Sequence, residues 1–132
     1  MVLETVRKFV KDVAEPKALE CDEHGQFVRA QIDQLAELGM LGLPVGEASG
    51  GAGMGWVATV VALEEIATAC SSTAQVLAGH AAVAAPALEG LDAGKALLGE
   101  LCMGEKLAAW IGPDAGLILD AAGKLTGVAP LV

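Results

Sequence analysis

The side chain best suited to acid–base chemistry is His80, the one titratable group in the run Ala74-Gln-Val-Leu-Ala-Gly-His-Ala-Ala-Val-Ala-Ala85. No acidic or cysteine partner lies near it in sequence, so a hydrogen-bonded core histidine is expected rather than a catalytic base. His24, in a polar turn, reads as exposed. Glu64 and Glu65 are adjacent, about 100° apart on a helix, and cannot grip one substrate atom between them. A solvated helix end is expected for that pair. Ser49 is outside a Gly-x-Ser-x-Gly elbow because Glu47 stands two residues before it. Ser71 and Ser72 fit helix caps better than nucleophiles. The run Gly51-Ala-Gly53-Met-Gly55-Trp56 lacks the last glycine of a dinucleotide fingerprint, and no Lys-Ser or Lys-Thr pair follows to form a nucleoside-triphosphate loop. Glycines turning the chain between two helices are the expectation. Cys21, Cys70 and Cys102 lie far apart and lack the close pairs of a zinc site, so no metal is expected. They read as reduced thiols of a cytoplasmic protein. Trp110 suits ordinary core packing and stacking on a flat ligand equally well. From residue types and spacing alone, no constellation amounts to an active site.

The elements that must position these residues follow from hydrophobic spacing. Val2, Val6, Phe9, Val10 and Val13 recur at helical intervals, predicting a first helix from residue 2 to about 22. Pro16 should end or kink it, having no N–H and crowding the preceding turn. A second helix is predicted over 29–38, stopped by Gly39. A glycine-rich loop runs over 39–55, and a third helix, apolar nearly all round, over 56–70. Ser72 followed by Gln75 is a capping-box pattern, so a fourth helix should begin near Thr73, with Pro86 disturbing its end. Small residues on every side mark that helix as central and closely packed. Asp92 is the expected N-cap of a fifth helix over 93–103, with Gly104 its stop. The short apolar runs at 107–111, 116–119 and 125–128 read as strands. The fold class is therefore mainly α: a bundle of about five helices followed by the first strands of a β domain. So few strands leave an apolar edge uncovered, which implies either a truncated chain or completion by another chain.

Composition narrows the function classes. Of 132 residues, 54% are hydrophobic and 19% charged, which excludes disorder driven by charge. Eight Lys and Arg against seventeen Asp and Glu leave a net charge of −9, so the basic face that a nucleic-acid binder needs is missing. The same balance disfavours an anionic membrane surface. The most apolar stretch, 76–88, is interrupted by Gly79, His80 and Pro86 and falls short of the roughly 20 apolar residues of a bilayer span. No signal peptide is expected, because Arg7, Lys8 and Lys11 sit within an amphipathic pattern.

Six segments in order resemble a known family. They are Val6-Arg-Lys-Phe-Val10 with Glu15-Pro16 and Asp22-Glu23, then Leu35-Ala-Glu-Leu-Gly-Met-Leu-Gly-Leu43, Gly50-Gly-Ala-Gly53, Ala62-Leu-Glu-Glu-Ile-Ala67, Cys70-Ser-Ser-Thr-Ala74 and Met103-Gly-Glu-Lys106. Together they are similar to the acyl-CoA dehydrogenases. The resemblance implies an N-terminal helical domain over 1–106 and the beginning of a middle β domain over 107–132. It implies FAD as cofactor and an acyl-CoA thioester as substrate, with the proton-abstracting carboxylate supplied from outside this stretch. By position it assigns Ala74, Gln75, Ala78 and Ala82 to the acyl tunnel. Their small size implies a roomy pocket for a bulky acyl group of lipid or steroid type. Trp110, Gly112 and Pro113 fall where the family meets the flavin. There the family usually reads Leu/Val-Thr-Glu-Pro-Gly-Ala-Gly-Ser-Asp, whereas this chain has Gly112-Pro-Asp-Ala-Gly116. Pro113, in the place of the threonine, offers neither a hydroxyl nor an N–H. Two readings follow: part of an acyl-CoA dehydrogenase-like flavoprotein, or a degenerate, non-catalytic subunit of a heteromeric dehydrogenase whose partner holds the FAD. Either way the expected partners are acyl-CoA dehydrogenase-like subunits in a homo- or hetero-oligomer.

Overall fold

The computed structural model describes residues 1–112 and 116–128. Among these, five helices form the body. Helix α1 covers residues 2–24 in three consecutive pieces, Val2–Phe9, Val10–Ala14 and Glu15–His24. Helix α2 is Arg29–Glu37 and α3 is Gly55–Ala67. Helix α4 covers residues 71–89 as Ser71–Leu77, Ala78–Ala84 and Ala85–Glu89. Helix α5 is Asp92–Cys102. Single 3₁₀ turns at Met40–Gly42 and Glu47–Ser49 carry the chain from α2 to α3.

Pro16, expected to end or kink the first helix, and Pro86, expected to disturb the end of the fourth, both lie inside helices, α1 and α4. In both, the middle piece is wound as a π-helix that ends two residues before the proline, at Ala14 and Ala84. The Glu15 N–H reaches back to the Val10 carbonyl, and the Ala85 N–H to the His80 carbonyl, each five residues earlier. A pyrrolidine ring clashes with the carbonyl four residues back in an α-turn, and the wider π-turn makes room for it. Each helix therefore passes through its proline.

The main core joins Val6 and Phe9 of α1, Ile32 and Leu35 of α2, Leu41 and Leu43 of the connecting loop, Ile66 of α3 and Leu77 of α4. A smaller cluster packs Val45 against Ala85, Leu98 and Cys102. The buried Thr73 hydroxyl donates to the Gln31 amide oxygen at 2.7 Å, tying α4 to α2. Glu65 is not the solvated end expected: it reaches across to Arg7 of α1 at 3.1 Å, while Glu64 is exposed. Helix α4 begins two residues earlier than the capping-box pattern implied, with Cys70 as N-cap and no side-chain cap. Asp92 lies in the first turn of α5 rather than before it and pairs with Lys95 at 2.8 Å.

The β part is a hairpin. β1 (Ile118–Leu119) pairs antiparallel with β2 (Leu125–Thr126), Ile118 opposite Thr126 and Leu119 opposite Leu125. The Asp120 carboxylate closes the turn by accepting the Ala122 and Lys124 N–H groups at 2.9 Å each. The strand expected over 107–111 does not form among the described residues. A strand exists only against a neighbour; here β1 and β2 take each other, and the Ala108 N–H is turned toward a side chain of α4.

Candidate functional site

Gln75, Ala78 and Ala82 all fall on parts of α4 that are not packed into the core. Gln75 is exposed, and Ala78 and Ala82 are half-buried. Ala74 turns the other way and is buried in the main core. Gly79 adds to the open face, since a Cβ there would meet nothing within 4 Å. The structure thus leaves three of the four proposed tunnel residues on uncovered, small-residue surface of α4, with Ala74 behind it. That surface is a wall rather than a tunnel. A cleft of about 340 Å³ meets α4 at Ser72 and Val76, with Cys21, Phe27 and Val28 on its other side, and a further cleft lies beside Ala36 and Met103.

The segment after α5 carries the expected flavin-side residues. Leu107 packs against the main core, and the chain then emerges. Trp110 is 57% exposed, and Ile111 beside it is 39% exposed. Gly112 is half-buried. Pro113 lies outside the described residues.

His80 joins these two parts. Its side chain is fully buried, and both ring nitrogens are occupied. The Ala108 N–H donates to Nδ1 at 3.0 Å, and Nε2 meets the Leu101 carbonyl at 3.1 Å. A backbone N–H can only donate and a carbonyl can only accept, so the partners fix a neutral ring protonated on Nε2. Burial pushes its pKa below the usual 6.5, against an opposing pull that includes the Leu101 carbonyl. This is the hydrogen-bonded core histidine expected from sequence.

The glycine loop is turned in on itself. Ala52 N–H donates to the Gly42 carbonyl, Gly53 N–H to Val45 and Met54 N–H to Leu43, all at 2.8–2.9 Å. Those donors are spent on the loop, which leaves them unavailable to a phosphate. At Gly51 the backbones touch, and a Cβ would lie 2.2 Å from the Val45 carbonyl oxygen. Glu89, at the end of α4, accepts the Gly46 N–H at 2.9 Å and so anchors this loop. Nothing in the sequence signals that contact, which spans 43 positions. Burial and then the nearby Glu89 charge push the Cys102 thiol pKa up, so that thiol stays protonated. No described helix is long and apolar enough to cross a membrane.

A family model described as the N-terminal domain of acyl-CoA dehydrogenase matches residues 1–105. Among curated proteins, the short-chain specific acyl-CoA dehydrogenase of Clostridium acetobutylicum is 31% identical over 121 residues, covering 88% of this chain and 32% of that protein. The human mitochondrial short-chain specific acyl-CoA dehydrogenase is 36% identical over 77 residues, 58% of this chain and 19% of its own length. This chain thus spans a third or less of these relatives. A solved chain from work on the electron transferring flavoprotein of Acidaminococcus fermentans and flavin-based electron bifurcation superposes with a TM-score of 0.78 over 88% of this chain and 32% of its own, at 23% identity. At that identity it shows the shared fold.

Proposed function

The chain belongs to the acyl-CoA dehydrogenase family through its N-terminal domain, and on that premise we propose that it is the helical part of a flavoprotein dehydrogenating acyl-CoA thioesters, with α4 forming one wall of the acyl site. The observation that carries this reading is the open face of Gln75, Ala78, Gly79 and Ala82 on a helix whose opposite side is core. Small side chains there leave room for a bulky acyl group, and Ala74 backs the wall from inside.

The residues present suit a flavin as one side of its site. Trp110 presents a largely exposed indole next to Ile111, followed by Gly112, whose lack of a side chain leaves space beside the ring. FAD, when bound, would supply the hydride acceptor. The chain's own residues would orient the isoalloxazine and exclude water from it, and no proton-abstracting base is assigned among them. On this reading residues 107–132 begin a middle β domain. Acyl-CoA dehydrogenase-like subunits, in a cytoplasmic oligomer, would cover apolar surface such as Trp56, Val57 and Val60 of α3, all three about half exposed or more.

One feature favours the second reading, a non-catalytic subunit. Pro113 replaces the family's threonine and cannot donate to a flavin. The absorption spectrum of the purified full-length protein tests the choice. A flavin band at one per chain supports catalysis, and a colourless protein that co-purifies with a yellow partner supports the subunit. Pro113→Thr should raise FAD retention; unchanged retention would contradict the assignment of Pro113 to the flavin side.

A further inference from the structure

We propose that His80 is a positioning residue: its neutral imidazole latches the Trp110 segment to α4 and so sets the distance between the acyl wall and the flavin side. The inference rests on the flavin-side reading of Trp110 given above. Its geometric basis is independent of that reading. The imidazole sits in the π-wound stretch that also carries Ala78 and Ala82. It bridges the last turn of α5, at Leu101, to Ala108, two residues before Trp110. Leu107 is the last side chain of this segment packed on the core, and among the described residues no backbone hydrogen bond ties 109–112 to the helices. The Ala108–His80 bond is therefore the final fixed point before the indole.

The bond is also specific in its chemistry. The site requires one acceptor for the Ala108 N–H and one donor for the Leu101 carbonyl on the same side chain, facing opposite ways. A neutral histidine supplies both. A glutamine amide also supplies one of each, whereas leucine fills similar space and supplies neither.

The test compares His80→Leu and His80→Gln in the full-length protein carrying Trp56→Phe, so that Trp110 is the only indole of this stretch. Amide exchange at Ala108 is read by NMR or mass spectrometry, and access to Trp110 by acrylamide quenching. His80→Leu should speed Ala108 exchange by about tenfold or more, the equivalent of one lost hydrogen bond. Trp110 quenching should rise while exchange in α1–α3 stays as in the wild type. His80→Gln should restore both. Unchanged Ala108 exchange in His80→Leu, or no rescue by a folded His80→Gln, overturns the latch. Should His80→Leu fail to fold, nitrogen-15 shifts of the wild-type imidazole decide the matter: protonation on Nε2 supports the latch, and protonation on Nδ1 overturns it. Flavin content separates the two claims. A full-length protein whose complex lacks flavin overturns the function proposed above, while a flavin-loaded one whose Ala108 amide ignores His80→Leu overturns only the latch.

Discussion

His80 carries a pH dependence of defined sign. Because its folded pKa is depressed, the unfolded chain takes up this proton at a higher pH than the folded chain does. Through the window from about 6.5 down to the folded value the unfolded state binds more protons, so stability falls as pH falls. Above that window the contribution is fully present. Thermal unfolding at about pH 7.5 and about pH 5.5 should show a loss on acidification that His80→Gln reduces; an identical loss in both proteins would contradict the assignment. Two glycines give opposite outcomes at the same scale. Gly51→Ala must push a methyl group into the Val45 backbone and should cost about 3 kcal/mol in denaturant unfolding. Gly79→Ala places its methyl in open space on a helix and should be neutral or stabilising by roughly 0.5–1 kcal/mol. The Arg7–Glu65 pair has a largely exposed arginine, so Arg7→Ala should cost less than about 1 kcal/mol.

At the scale of elements, the prolines are the instructive case. A proline forced into an α-helix interior costs about 3 kcal/mol, but the π-turns before Pro16 and Pro86 relieve the clash that sets that cost. Pro16→Ala should therefore stabilise the protein by well under that amount in urea unfolding; a gain of the full size would mean that α1 is strained at this point. Hydrophobic spacing located α1 and α2, each of which buries an apolar stripe that its own sequence displays; α3 showed as a nearly all-apolar run after the glycine loop, and α4 and α5 by their capping and stop residues. Local pattern did not reveal that α1 and α4 pass their prolines through π-wound turns, because the winding is set by how the backbone accommodates the ring and not by apolar spacing. Long-range polar contacts were hidden for a different reason. Glu65 reaching Arg7 and Glu89 reaching Gly46 depend on where helices pack, which local pattern does not encode. The apolar run at 107–111 has strand-like composition, yet its Ala108 amide is bound to His80 and no strand among the described residues lies beside it. The assignment of Ala74, Gln75, Ala78 and Ala82 came from family resemblance; periodicity alone shows only that Ala74 and Gln75 point to different sides.

The whole molecule reads as a packed helical body with one small-residue face on α4, an exposed indole on a segment tethered to α4 through His80, and exposed apolar side chains on α3 and on the hairpin. Exposed apolar surface of this kind is characteristic of a face that other protein or a ligand covers. The central claim is that α4 bounds an acyl group that is oxidised by a flavin. Anaerobic titration of the full-length protein, in the complex that holds its flavin, with acyl-CoA thioesters of graded bulk tests it most directly. The flavin band should bleach with a bulky thioester. Ala82→Phe, at a half-buried position, should raise the concentration needed for that thioester while leaving a small one unaffected. Bleaching by no thioester, or a response to bulk that Ala82→Phe leaves unchanged, would contradict the account.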